Sequence, residues 1–365
     1  MKILFLSDNL VGGGKERRMI ELIKGLDAIE SYELYLVSLE EEVYYKEIYN
    51  TKCTFKIIKR NRGKGYEFNV QKGLWDYIKK IKPNIIHFWG EVSMIYLLPI
   101  SFFIKTPIIS SIIADTFPKQ GFFKNIIRRL GYQITTTILS NTYLGVERYN
   151  APKAKSKVIY NGFDFSRISN LKEEQEIRSR YNIVTEFVVM MVGSYSIRKD
   201  YYTFITACEQ ILKNRKDVTF VSIGGGNNQS LKELINPENS EYYRFLPFQI
   251  DVESIMKITT IGVLCSNSDI HGEGISNALL EFMALKKPVI GNNHDGSMEL
   301  IEDGVSGFLI PPKNSKFLVA KIIKLLDDNS LRNFMGEESF NIVKTKFSIS
   351  KMIYNFSCLY QKIVK

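Results

Sequence analysis

The sequence predicts an α/β protein built from two tandem domains, each a doubly wound parallel sheet. Three observations carry this reading. The chain has 365 residues, more than one compact core usually organises. Apolar strand-like runs alternate with helix-like periodic segments, the pattern of successive β-α-β units. That alternation pauses once, at a polar stretch, and then begins again. Glycine-rich turns follow strand runs in both halves, so a cleft between the domains is the expected binding place. No short fixed period recurs, which argues against a solenoid.

The first run is "KILFLS". Its four apolar residues are too few for a signal-peptide core, so a buried strand is expected at the start. "KERRMIELIKGL" follows, with Met19, Ile20, Ile23 and Leu26 on one helical face. "YELYLVSL" reads as a strand, "VQKGLWDYIKKI" as a helix, and "NIIHFW" as a strand entered through Pro83. The most apolar segment, "MIYLLPISFFIKTPIISSII" (94–113), is interrupted by Pro99, Lys105 and Pro107. It is too broken to span a bilayer and reads as a helix followed by the strand "PIISSII". "SKVIYNG" closes the first series, which occupies residues 1–165. "LKEEQEIRSRYN" reads as a helical connection. The second series runs through "FVVMMVGS", a helix from about Tyr202 to Lys213, "VTFVSIGGG", "YYRFLPF", "IGVLCS" and "KPVIGN". It defines a second domain over 180–345.

Composition narrows the function classes. With 45% hydrophobic and 24% charged residues, the chain is an ordinary globular protein rather than a disordered or fibrous one. Cys53, Cys208, Cys265 and Cys358 form no CxxC pair, which fits reduced thiols in a cytoplasm better than disulfides or zinc. Three histidines, His87, His271 and His294, are too dispersed for a metal site. The net charge of +10 is uneven: residues 1–165 hold 25 Lys and Arg against 16 Asp and Glu, an excess of nine, and the rest has an excess of one. The first domain is therefore expected to meet something anionic or a membrane surface; drift in surface lysine usage is the alternative. Nucleic acid is not expected, because no recognition motif accompanies the charge.

The candidate site residues lie at strand ends. "VGGGKE" (11–16) could be an anion cradle or simply a tight turn; it is neither GxGxxG nor a P-loop. "VGSYSIRKDYYTF" (192–204) puts Arg198 and Lys199 at a loop-to-helix junction, where paired cations suit a diphosphate and where solvated surface charge is the plain alternative. In "HGEGISNALLEFMALKKPVIG" (271–291), Ser276 or Asn277 is a good N-cap for a helix running to about Lys286, before Pro288. Glu273 precedes that helix and Glu281 shares a face with Asn277. Eight residues of helical rise is about 12 Å. That is roughly the span between the ribose and hexose of a sugar nucleotide, whose diphosphate would meet the helix N-terminus. A surface glutamate plus an ordinary capping acid gives the same spacing.

"EGISNALLEFMALKKPVIGNNHDGSMELIEDGVSGFLIPP" (273–312) resembles the donor-binding region of retaining glycosyltransferase family 4, with the E-x7-E signature on Glu273 and Glu281 and the later acidic position on Glu299. "MKILFLSDNLVGGGKERRMIELIKGL", "PNIIHFWG", "VIYNGFD", "VGSYSIRKDYYTFITA" and "VSIGGG" extend the resemblance over nearly the whole chain. It implies the GT-B fold: two Rossmann-like doubly wound domains facing a central cleft, with a final helix (350–365) packing back on the first. It further implies that Glu281 holds ribose hydroxyls. Glu273, with backbone N–H groups of Gly274, Ile275, Ser276 and Asn277, would hold the transferred sugar and distal phosphate. Lys199 would bind the diphosphate, and Gly13 and Gly14 would close over the donor.

Two positions depart from the family pattern. Ser194 stands where an arginine is usual, a role open to Arg198. Ile113-Ala114-Asp115 stands where a histidine is frequent, which brings Asp115 in as a catalytic candidate beside Glu273 and Lys199. His87 reads equally well as structural.

The resemblance implies a cytoplasmic, retaining transferase that needs no metal or other cofactor and takes a nucleotide sugar, first of all a UDP-sugar. The expected acceptor is a glycan, lipid-linked, in bacterial surface polysaccharide synthesis such as capsule or O-antigen. A sugar-nucleotide epimerase of the same fold and a non-catalytic glycan-assembly partner are the alternatives. "PKQGFFKNIIRRLGYQI" (118–134) sets Phe122, Phe123, Ile126, Ile127 and Leu130 at helical spacing among Lys119, Lys124, Arg128 and Arg129. It would suit either an interfacial helix on anionic lipid, on the inner face of the membrane, or a helix packed on the sheet. The loop "KRNRGKG" (59–65) adds charge.

Overall fold

The computed structural model describes residues 1–364 except 62, 64, 119 and 120, and leaves out the side chains of Phe122 and Phe123. The chain divides into two compact units, residues 1–162 with 349–365, and residues 163–348.

The first unit runs β1 (Lys2–Ser7), α1 (Gly14–Asp27), β2 (Glu33–Ser38), β3 (Thr54–Ile57), α2 (Phe68–Ile81), β4 (Ile85–Phe88), α3 (Glu91–Ser101), β5 (Ile108–Ile113), α4 (Phe122–Ile134), β6 (Thr137–Ser140), α5 (Tyr143–Arg148) and β7 (Ser156–Val158). Its described strands form a parallel seven-stranded sheet, order β3-β2-β1-β4-β5-β6-β7. The central strands are mostly apolar because helices cover both faces. Side chains alternate across β1. Ile3 and Phe5 join Met19, Ile20, Ile23 and Leu26 of α1 in one core, while Leu4 and Leu6 join Leu74 of α2 and Leu97 of α3 in the other.

Buried polar groups tie the first core together. The Arg18 guanidinium lies 5.5 Å from the Trp89 ring centroid and 5.3 Å from that of Phe356, and it donates to the Ile159 carbonyl. His87 is fully buried, with Nδ1 2.7 Å from the Tyr360 hydroxyl and Nε2 2.7 Å from Ser111 Oγ. Burial, helped by Arg18, pushes the His87 pKa well down, so the ring is neutral and structural.

The second unit runs α6 (Glu174–Arg180), β8 (Phe187–Val192), α7 (Tyr201–Leu212), β9 (Val218–Ile223), α8 (Gln229–Lys232), β10 (Tyr243–Leu246), α9 (Val252–Lys257), β11 (Ile261–Val263), α10 (Asn277–Ala284), β12 (Val289–Asn292), α11 (Ser297–Leu300), β13 (Gly307–Ile310), α12 (Ser315–Asp327) and α13 (Asn329–Lys346). Its described strands form a parallel sheet, order β10-β9-β8-β11-β12-β13. The last helix, α14 (Ile349–Val364), belongs to the first unit, where Met352, Phe356, Leu359 and Tyr360 join the α1 core.

Three strands escape the sequence reading. β3 lies at a sheet edge with most of its residues exposed, β6 is short inside a threonine-rich run, and β13 comes after a polar turn. The helix expected to reach Lys286 ends at Ala284, because Lys286 adopts a left-handed φ of 58° and turns the chain toward Pro288. The loop residues Arg62 and Lys64, and Lys119 before α4, lie outside the described residues. Among the described residues no helix is long and apolar enough to cross a membrane.

Candidate functional site

Strand ends in the second unit bring the charged residues together. Glycine is required where β9 ends, since a Cβ on Gly224 would fall 1.9 Å from the Gly193 carbonyl oxygen; at the end of β8, the position a Cβ on Gly193 would take lies 2.9 Å from Lys199 Cε. Lys199 can therefore fold back across the end of β8. Its ammonium ion-pairs with Glu273, and each side chain is 14% exposed. Nε2 of His271 lies 3.1 Å from the same carboxylate oxygen.

The Glu273 loop is strapped to the turn before α11. The Glu273 N–H donates to Asp295 Oδ2 at 3.2 Å, and the Gly296 N–H donates to the Glu273 carbonyl at 2.8 Å. A Cβ on Gly296 would lie 2.3 Å from the Gly274 carbonyl oxygen, so only glycine permits this approach. Burial pushes the Glu273 carboxyl upward, but Lys199 and His271 outweigh it and hold the group well below the usual carboxylate range. Burial and the neighbouring Glu273 charge push Asp295 upward, against His294 and the Ser297 N–H.

Helix α10 starts beside this pair. Ser276 is the N-cap, its hydroxyl accepting from the Leu279 N–H at 3.4 Å. The start of the helix thus presents N–H groups and the positive end of its dipole next to Glu273. Glu281 lies farther along, 3% exposed. Arg167 Nη2 donates to its Oε1 at 2.8 Å and also ion-pairs with the buried Glu253 of α9.

The remaining candidates are placed differently. The Arg198 side chain is exposed, and its backbone carbonyl accepts from the Asn267 N–H at 2.9 Å. Ser194 Oγ lies 2.9 Å from Ser196 Oγ. Glu299, on α11, is half-buried. Gly13, Gly14 and Asp115 belong to the first unit. Gly13 caps α1 and its carbonyl accepts from the Tyr45 hydroxyl at 3.0 Å; Gly14 opens the helix. Asp115 Oδ1 accepts from the Phe117 N–H at 3.0 Å and the Tyr149 hydroxyl at 2.7 Å.

His271, Asp295, Arg167 and Glu253 are site residues that the sequence reading passes over. His271 was findable, two positions before Glu273; the other three carry no local signal. Among the described residues no group of three or more His, Cys, Asp or Glu side chains is arranged to hold a metal ion.

Residues 173–341, most of the second unit, match the family described as glycosyl transferases group 1. An uncharacterized glycosyltransferase of Methanocaldococcus jannaschii, MJ1069, is 25% identical over 210 residues, 57% of this chain and 53% of that protein. The capsular polysaccharide biosynthesis glycosyltransferase CapM of Staphylococcus aureus is 26% identical over 212 residues, 56% of this chain and 54% of that protein. The chain therefore spans about half the length of these relatives. Across whole chains, Anabaena HepE in complex with UDP superposes with a TM-score of 0.86 at 19% identity, covering 99% of this chain and all of that one. The fold is GT-B.

Proposed function

We propose that the protein is a retaining glycosyltransferase that moves a sugar from a nucleoside diphosphate donor to a glycan acceptor. The observation that carries this reading is the Lys199–Glu273 pair at the start of α10. An ionised carboxylate, a cation and the N-terminal end of a helix dipole, side by side, suit a sugar and its diphosphate. Lys199 binds the diphosphate. Glu273 and the N–H groups of Gly274, Ile275, Ser276 and Asn277 hold the sugar hydroxyls and distal phosphate. Glu281 takes the ribose. Arg198, Gly13, Gly14 and Asp115 are further donor or sugar contacts on the strength of the resemblance.

In the transfer, the bond from the sugar C1 to the phosphate oxygen breaks. The acceptor oxygen bonds to C1 from the same face, and its proton passes to the leaving phosphate. A UDP-sugar is the proposed donor, in keeping with HepE, which is described with UDP. Surface polysaccharide synthesis is the proposed setting, in keeping with CapM. Calorimetric titration with UDP, GDP, ADP and CMP, paired with an acceptor-dependent assay, tests the reading. Glu273→Gln should cut turnover by at least about 1,000-fold while the fold persists. Undiminished transfer by that variant sinks the assignment.

The acceptor is proposed to be lipid-linked and reached at the cytoplasmic face of an anionic membrane. Supporting this, Ile126 and Leu130 of α4 remain 39% and 38% exposed, beside the exposed Lys124 and Arg129. Binding to phosphatidylglycerol vesicles but not to phosphatidylcholine vesicles is expected, and Ile126→Ser with Leu130→Ser should weaken it. Equal binding by the variant discards the membrane role of α4.

A further inference from the structure

We infer that Arg167 is a positioning residue for the donor: it fixes the plane of the Glu281 carboxylate, and through it the discrimination of ribose from deoxyribose. The inference rests on the donor-site reading and adds a residue 114 positions away from Glu281.

Glu281 is a helix residue whose side chain is only 4% exposed. A ribose would meet just the edge of its carboxylate, so the direction in which that edge points decides whether a hydroxyl is bound. Arg167 Nη2 donates to Oε1 at 2.8 Å. A carboxylate oxygen has two lone pairs, and this bond leaves the group able to accept from a ligand.

The guanidinium is itself fixed from several sides. It ion-pairs with Glu253 on α9 and its carbon lies 5.3 Å from the Phe163 ring centroid, while the Arg167 backbone N–H donates to the Asp164 carbonyl at 3.1 Å. Asp164 in turn caps this short turn, accepting from the Ser166 N–H at 3.0 Å, and the Phe163 N–H donates to the Phe347 carbonyl at 2.7 Å. A planar donor fork clamped in this way dictates orientation, which a lysine's rotatable point charge does less well.

Structural compensation of two buried acids is the competing role, and the test separates them. Arg167→Met combined with Glu253→Gln removes one positive and one negative charge together, so the fold is kept; thermal melting checks this. The probes are whichever of UDP, GDP, ADP or CMP binds the native protein, and its 2′-deoxy and 3′-deoxy forms. Native protein should favour the ribose form by about tenfold or more, the worth of one charge-assisted hydrogen bond. The double variant should bind the ribose and deoxy forms within about twofold of each other, with affinity for the deoxy form little changed. Arg167→Lys should restore part of the preference.

Full ribose preference in the folded double variant overturns the inference while leaving the donor site intact. Native protein that binds no nucleotide, or binds both forms equally, overturns the donor-site reading and the inference with it.

Discussion

Glu273 and Glu281 are eight positions apart and both meet a cation, yet their surroundings differ in kind. Glu273 stands in a loop, with Lys199 and His271 around it, and keeps 14% of its side chain exposed. Glu281 is a helix residue, closed in by Arg167, which also meets Glu253. The first arrangement leaves charge at a surface where a ligand can exchange partners with it. The second spends its charge on holding one side chain still. The proposed donor is long and anionic, and binding such a molecule calls for both an adaptable end and a fixed end.

The largest expected effect comes from breaking the adaptable end. Lys199→Met leaves the Glu273 carboxylate in its half-buried loop without its cation, and turnover should fall about 100-fold or more. Stability should report the same pair. Because the folded Glu273 value lies below the ordinary 4.5, the pair stabilises the fold fully above that pH and less as the pH falls through it. The difference in melting temperature between native protein and Lys199→Met should therefore narrow below about pH 4.5. A gap that widens toward acid would contradict the pairing.

Gly296→Ala strikes the backbone beneath the same end. The added Cβ must push the Gly274 carbonyl aside, which should cost about 2 to 3 kcal/mol in chemical denaturation. Ribose preference, set at the other end, should survive; its loss would show the ends to be one unit. The smallest effect should come from Phe163→Leu, which removes the ring under Arg167. A loss of about 1 to 2 kcal/mol is expected from the repacked core, with ribose preference reduced by about twofold. An unchanged preference would show that the ring plays no part in holding the guanidinium.

Legibility in the sequence depends on how local each feature is. The central strands, such as "KILFLS" and "FVVMMV", were readable because burial on both faces requires unbroken apolar runs. "TFKI" of β3 was not, since an edge strand with exposed side chains carries no such run. A cap at Ser276 or Asn277 was readable from their place before an apolar helix, and the fold uses Ser276. The end of α10 was not, because Lys286 is an ordinary residue whose left-handed turn is imposed by the need to enter β12. Both glutamates were visible by spacing and resemblance, while Arg198 and Lys199, adjacent in sequence, were alike on paper. Only the folded loop separates them, sending Lys199 to Glu273 and Arg198 to solvent.

The sequence alone determined two parallel α/β domains, glycine turns at their strand ends and two glutamates flanking a helix start. These depend on periodicity and on neighbours within a few residues. Tertiary structure alone decided that Arg167 meets Glu281, that Asp295 receives the Glu273 N–H, and that His87 locks onto Tyr360 of the last helix. Such pairings join residues 22 to 273 positions apart, and a polar side chain bears no local mark of the distant partner that burial will require of it.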